Sequence, residues 1–215
     1  MKKPELHDTQ YWIDRPLTPD DKDWIDDQSD WIQSYINSTY HPHRQMIVDA
    51  VRELYPVNKI LEVGCNTGSN LLRVNEMFPS AKLYGIDVNK KCIEEAKELL
   101  PKAILKVGTY FYLPFPDNHF DLVIADATLM YANPDDIDKA MSEINRVCNR
   151  AIIIVDRWNE SIKGVRNGHV WARNYPTLLV DLGYSVFIKK IEAKDWPHSL
   201  GWQKFGYLFV GTRCK

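Results

Sequence analysis

The 215-residue chain predicts a doubly wound α/β fold with a mostly parallel sheet, an antiparallel hairpin at its end and an N-terminal helical cap. Three observations carry this. Between about residues 59 and 192, short apolar runs alternate with helix-period stretches. The strand-like runs are continuously apolar, as in a parallel sheet covered on both faces. The last two runs, Ser185–Ile191 and Phe205–Val210, are joined by Lys194–Gln203 without a helical pattern, which favours antiparallel pairing.

Taken in order, Ile47, Val51 and Leu54 mark a covering helix, and Trp31–Tyr40 offers another. Lys59–Val63 is the first strand. Leu71, Val74 and Phe78 form a helix face, and Leu83–Asp87 is the second strand. Ile93, Ala96 and Leu100 mark the next helix, ended by Pro101. Ala103–Val107 and Phe120–Ala125 are strands three and four. Asn133-Pro134-Asp135-Asp136 reads as a helix start, with a cap, a proline in the first turn and acids at the positive end of the dipole. Ile137, Met141, Ile144 and Cys148 form that helix's buried stripe, and Ala151–Val155 is strand five.

The length suits one such domain over residues 45–215 with residues 1–44 as a cap or lid. A hydrophobic fraction of 45% supports a packed core. The formal net charge of -2 argues against a large nucleic-acid surface. Residues 1–30 hold nine acids and four bases, a charge of -5, which leaves +3 on the rest. That acidic stretch carries Tyr11, Trp12 and Trp24, unlike a disordered acidic tail, and is expected to dock on the body. The four scattered cysteines form no CxxC pair and suit reduced thiols in a cytoplasmic protein. No apolar run spans a membrane, and the N-terminus lacks a signal-peptide core. The run His41-Pro-His43-Arg44 has no carboxylate or cysteine near it in sequence, so no metal site is expected.

The most informative stretch is Leu61-Glu62-Val63-Gly64-Cys65-Asn66-Thr67-Gly68-Ser69-Asn70, between a strand and a helix. A ligand lying across such a turn needs close backbone, hence Gly64 and Gly68. A dinucleotide fingerprint would need glycines where Asn66 and Ser69 stand, and a phosphate loop would need a lysine after Gly68.

The spacing Glu62-x-Gly64-x-x-x-Gly68 resembles motif I of the class I S-adenosylmethionine-dependent methyltransferases. Asp87 stands 25 residues after Glu62, where the family places an acid on both ribose hydroxyls. Leu113–Val123 is similar to the family's approach to strand four. A narrower resemblance links Asn149-Arg150, Gly168-His169 and Arg173-Asn174-Tyr175 to methylases associated with pseudaminic-acid biosynthesis. Two positions depart from the pattern. Asn66 replaces a common glycine, which asparagine's tolerance of left-handed backbone accommodates. Thr109 and Tyr110 stand where an acid often contacts the adenine.

The resemblance implies a Rossmann-like fold and S-adenosylmethionine as cofactor, held by Glu62, Gly64, Cys65, Asn66, Gly68, Asp87, Val88, Thr109, Tyr110 and Asp126. Val88 and Tyr110 would flank the adenine. Asp126, Tyr131 and His169 are the candidate catalytic residues; Asp156, Arg157, Trp158 and Arg173 are the candidate substrate contacts. The reaction expected is methyl transfer to a small polar acceptor such as a sugar or another metabolite. A protein or RNA methyltransferase and a non-catalytic nucleoside-binding relative are the alternatives.

Overall fold

Each apolar run forms a strand. β1 (Lys59–Val63), β2 (Lys82–Asp87), β3 (Ile104–Val107), β4 (Phe120–Asp126) and β5 (Cys148–Arg157) pair in parallel, in the order β3-β2-β1-β4-β5. This is a computed structural model, and it describes residues 12–13, 31–167 and 170–214. Two further strands, β8 (Tyr184–Lys190) and β9 (Gly206–Arg213), complete a seven-stranded sheet. β9 lies antiparallel between β5 and β8, which is the expected terminal hairpin.

Helices cover both faces. On one side lie α2 (Pro42–Glu53), α3 (Ser69–Met77) and α4 (Lys90–Leu99), through Ile47, Val51, Leu71, Val74, Ile93 and Ala96. On the other lie α5 (Ile137–Val147) and α6 (Tyr175–Asp181), through Ile137, Met141, Ile144 and Leu179. Full burial of the Val, Leu, Ile and Met side chains among these supplies the main stabilising term, about 1.5–3 kcal/mol each. The short α1 (Trp31–Asn37) runs into a 3-10 turn over Ser38–Tyr40 ahead of α2. Strand order reverses at β1 and β4, and this opens the crevice beyond their carboxyl ends.

Two local expectations are corrected. α5 starts at Ile137, one turn beyond Asn133-Pro134, because the amides of Asp136 and Ile137 bond to the Asn133 carbonyl and close a separate turn first. The connection between β8 and β9 contains a helix, α7 (Leu200–Phe205), too short to show a period but anchored by fully buried Trp202. The stretch before α6, to which the sequence assigned no element, is a small hairpin, β6 (Val165–Asn167) with β7 (Val170–Ala172). No helix among the described residues is long and apolar enough to cross a membrane.

Candidate active site

The glycine turn follows β1 and bonds to β2, with the amides of Gly64 and Cys65 both donating to the Ile86 carbonyl at 2.7 and 3.0 Å. Gly64 has φ +74°, and an added Cβ would lie 2.2 Å from Thr128 Oγ1. No side chain fits there, because Thr128 fills the space against the turn. Asn66 takes φ +48°, the left-handed conformation expected of it, and Gly68 at φ +82° caps α3. The Cys65 side chain turns away into the core and lies against Gly85 of β2, so only its backbone faces the crevice.

Asp87 ends β2 with both oxygens engaged. Oδ2 accepts from the Asn66 amide at 2.9 Å, and Oδ1 accepts from the Asn89 amide at 2.8 Å. Each oxygen keeps a further lone pair. Burial pushes the Asp87 carboxyl up, against the amides of Asn89, Asn66 and Val88. Val88 is half-buried beside it. Thr109 and Tyr110 follow β3. The Thr109 hydroxyl accepts from the Phe111 amide at 3.3 Å, and Tyr110 lies edge-on to Phe111. Neither replaces the missing acid.

A buried polar network crosses the crevice floor. Asn70 Nδ2 donates to Glu62 Oε1 at 2.7 Å and to Asp126 Oδ2 at 2.9 Å. Asn70 Oδ1 accepts from Arg44 Nη1 at 2.7 Å. Asp126 Oδ2 also meets His43 Nε2 at 3.0 Å. Burial pushes the Asp126 carboxyl up, but His43, Arg44 and Asn70 outweigh it and hold it at about 2. Glu62 is different. Burial drives it from 4.5 to about 8, with the Asn70 bond opposing, so it is protonated at neutral pH. The residue after Asp126, Ala127, takes φ +48°, a conformation unusual outside glycine and common where function fixes a turn.

Two buried oxygens, Glu62 Oε2 and Asp126 Oδ1, have no hydrogen-bond partner among the described residues. Unsatisfied buried oxygens are costly, and once Glu62 gives up its proton the two together would accept the N–H groups of a cationic ligand. An α-ammonium there, ribose hydroxyls on Asp87 and a chain lying over Gly64 match the polar ends of S-adenosylmethionine. The residues present therefore fit that cofactor.

The 3-10 turn Leu129–Tyr131 overhangs the site. Trp12 packs on Tyr131 with ring centroids 4.5 Å apart, and the Trp12 carbonyl accepts from Asn89 Nδ2 at 3.0 Å. The rest of the acidic N-terminal run, Tyr11 and Trp24 included, lies outside the described residues, as does His169. Tyr35 and Thr39 touch the glycine turn's helix: Ser69 Oγ donates to the Tyr35 carbonyl at 3.0 Å, and Thr39 Oγ1 lies 3.3 Å from Ser69 Oγ.

Two substrate expectations are corrected. Arg173 is fully buried, with Nη1 donating to the Leu129 carbonyl at 2.9 Å, Nη2 to that of Ala132 and Nε to that of Lys163. Its donors hold the overhanging turn and face no open pocket. Asp156 is fully buried beneath the same turn, accepting from the Met130 amide, the Arg157 amide and the Tyr175 hydroxyl. Burial pushes it up to about 7, opposed by the Arg157 amide and by Arg173. Both residues position Tyr131 from below. Arg157 is half-buried at the end of β5; its Nε has no partner among the described residues, and its guanidinium lies 5.7 Å from the Trp202 ring centre. Trp158 is half-buried against Tyr207.

Sequence reading missed His43, Arg44 and Asn70. The His-Pro-His-Arg run is the visible signal for His43 and Arg44, and it points by itself only to metal binding; Asn70 closes the glycine stretch without a role that spacing reveals. No group of three or more His, Cys, Asp or Glu suited to a metal occurs among the described residues.

The sheet order and the acid-bearing glycine turn define a Rossmann-like methyltransferase fold. Residues 60–151 match a family described as a methyltransferase domain. The chain is 27% identical over 153 residues to trans-aconitate 2-methyltransferase of Escherichia coli O1:K1 / APEC, covering 69% of this chain and 60% of that protein. It is 31% identical over 112 residues to demethylmenaquinone methyltransferase of Symbiobacterium thermophilum, covering 49% and 43%. The chain thus spans about 60% or less of the length of these relatives. The crystal structure of magnesium protoporphyrin IX methyltransferase from Synechocystis PCC 6803 with bound S-adenosylhomocysteine shares the fold, with a TM-score of 0.68 at 15% identity over 96% of this chain and 98% of that one. Over residues 60–151 the chain is thus similar to S-adenosylmethionine-dependent methyltransferases, in sequence and in fold.

Proposed function

We propose that the protein transfers the methyl group of S-adenosylmethionine to a small polar acceptor. The observation that carries this is the pair of unpartnered buried oxygens on Glu62 and Asp126, at the carboxyl ends of β1 and β4, beside the strand that ends in the Asp87 carboxylate. The bound cofactor supplies an activated methyl on a sulfonium, so the chain's task is alignment and exclusion of water. Tyr131 under Trp12 forms the overhang that serves exclusion, and this supports a cap role for residues 1–44. Arg157 and Trp158, at the carboxyl end of β5, are the remaining contacts offered to the acceptor. A relative named for trans-aconitate is in keeping with a small acceptor. Three buried free cysteines, Cys65, Cys92 and Cys148, are in keeping with a reducing cytoplasmic setting.

Calorimetry with S-adenosylhomocysteine tests the cofactor half; no binding at millimolar ligand overturns it. Incubation with methyl-labelled cofactor and cell extract, then separation by size, tests the acceptor half. Label in the low-molecular-weight fraction is expected; label confined to protein or RNA overturns it.

A further inference from the structure

We propose that His41 is the proton acceptor for the methyl-accepting group, with His43 and Asp126 as the residues that position it. This rests on the methyltransferase reading and deepens it: the acceptor is a nucleophile that must lose a proton, a hydroxyl or an N–H group.

The geometry is a chain of three side chains that starts at Asp126, at the carboxyl end of β4. Asp126 Oδ2 meets His43 Nε2 at 3.0 Å, and His43 Nδ1 meets His41 Nδ1 at 2.5 Å. His43 is buried and His41 half-buried. Trp196 stacks on the His43 ring at 4.1 Å and tilts against His41 at 5.1 Å, which fixes both planes. The charged and titratable groups facing His41 are His43 and Arg44 from α2 and Asp126 from β4; the segment after β8 brings Trp196, which is uncharged.

The partners assign the tautomers. An ionised carboxylate only accepts, so His43 Nε2 carries its proton. His43 Nδ1 then offers a lone pair, and His41 Nδ1–H donates to it. This leaves His41 Nε2 as a bare lone pair, with no hydrogen bond among the described residues. Burial lowers His41 to about 4, with His43 and Arg44 adding to this, so it stands unprotonated at neutral pH.

In the transfer step the acceptor's X–H bond breaks and its proton moves to His41 Nε2. The pair left on X forms the X–CH3 bond. The S–CH3 pair returns to sulfur, and the sulfonium becomes a thioether. The shared proton then shifts from His41 Nδ1 to His43 Nδ1, so that His43 carries the positive charge between Asp126 and the Trp196 face. His41 Nδ1, now bare, accepts the His43 amide 3.4 Å away. One geometry serves both protonation states.

Diethyl pyrocarbonate, which acylates unprotonated imidazole nitrogen, tests this on the full chain. Peptide mass spectrometry near pH ~5.5 is expected to show His41 modified at least about fivefold faster than exposed His198. His43→Asn, which takes away the ring that holds the proton on His41 Nδ1, should remove that advantage. In the labelled-methyl assay His41→Gln should lose about 100-fold in incorporation while binding S-adenosylhomocysteine within about threefold of wild type. An unreactive His41, or His41→Gln with undiminished incorporation, overturns the proposal. Failure of wild-type protein to bind S-adenosylhomocysteine overturns the methyltransferase reading and this one with it, whereas intact binding with either adverse result overturns this one alone.

Discussion

The main-chain amide of Asn66 donates to Asp87 Oδ2 at 2.9 Å, so the carboxylate that faces the ribose position also locks the left-handed residue of the glycine turn. One side chain thereby shapes the turn and offers its remaining lone pairs to the ligand. Asp87→Ala should weaken S-adenosylhomocysteine binding by at least about tenfold, or about 1.4 kcal/mol, measured by calorimetry. Unchanged affinity would remove Asp87 from the cofactor site.

Glu62 holds a proton at neutral pH because burial, with Asp126 beside it, outweighs the Asn70 bond and the Arg44 charge. An α-ammonium arriving at Oε2 stabilises the ionised form and expels that proton. Binding of S-adenosylhomocysteine near neutral pH should therefore release up to one proton, seen as a dependence of binding heat on buffer ionisation enthalpy. Glu62→Gln should abolish the release.

The same group makes folding pH-dependent. Its pKa rises from 4.5 when unfolded to about 8 when folded, so between these values the native state keeps a proton that the unfolded chain has lost. Stability from Glu62 falls as pH rises through that window and levels off above it. Glu62→Gln mimics the protonated acid. Relative to wild type it should gain about 1–3 kcal/mol on going from the low to the high end of the window, measured by urea unfolding. A pH-independent difference would mean that Glu62 ionises freely.

Arg173 spends its guanidinium on three main-chain carbonyls, with Asp156 buried under the same turn. Arg173→Met leaves those carbonyls and the carboxyl without their cation and should cost about 3–5 kcal/mol in urea unfolding. A loss under about 1 kcal/mol would show that the turn holds itself.

Trp12 touches Tyr131 and bonds through its carbonyl to Asn89, two residues beyond Asp87. Removing residues 1–30 should weaken S-adenosylhomocysteine binding about 3- to 10-fold and depress turnover, because the overhang opens to water. Unchanged stability and turnover would show that this segment is no cap.

Strands one to five, the glycine turn and Asp87 were legible because each is local: a run, a spacing, a residue at a strand's end. The Asn66 conformation was legible from that residue's own tolerance of positive φ. His43 was not, because its meaning lies in Asp126, which is 83 positions away in sequence and joined to it only by sheet order. Arg173 misled for the opposite reason. Its type suits an anion, but burial under the Leu129–Tyr131 turn gives each of its three nitrogens a backbone carbonyl. The α7 helix escaped because six residues give no period to read.

The ring of His43 lies on Trp196, and Trp196 lies on Trp202 at 4.1 Å with planes 7° apart. Two indoles so close and so parallel share their electronic excitation, and the imidazole on the outer face quenches when it becomes cationic. The fold thus carries an optical gauge at its proton-handling end. Near-ultraviolet circular dichroism reads the indole couplet, and tryptophan emission reads the charge on His43, with no label attached.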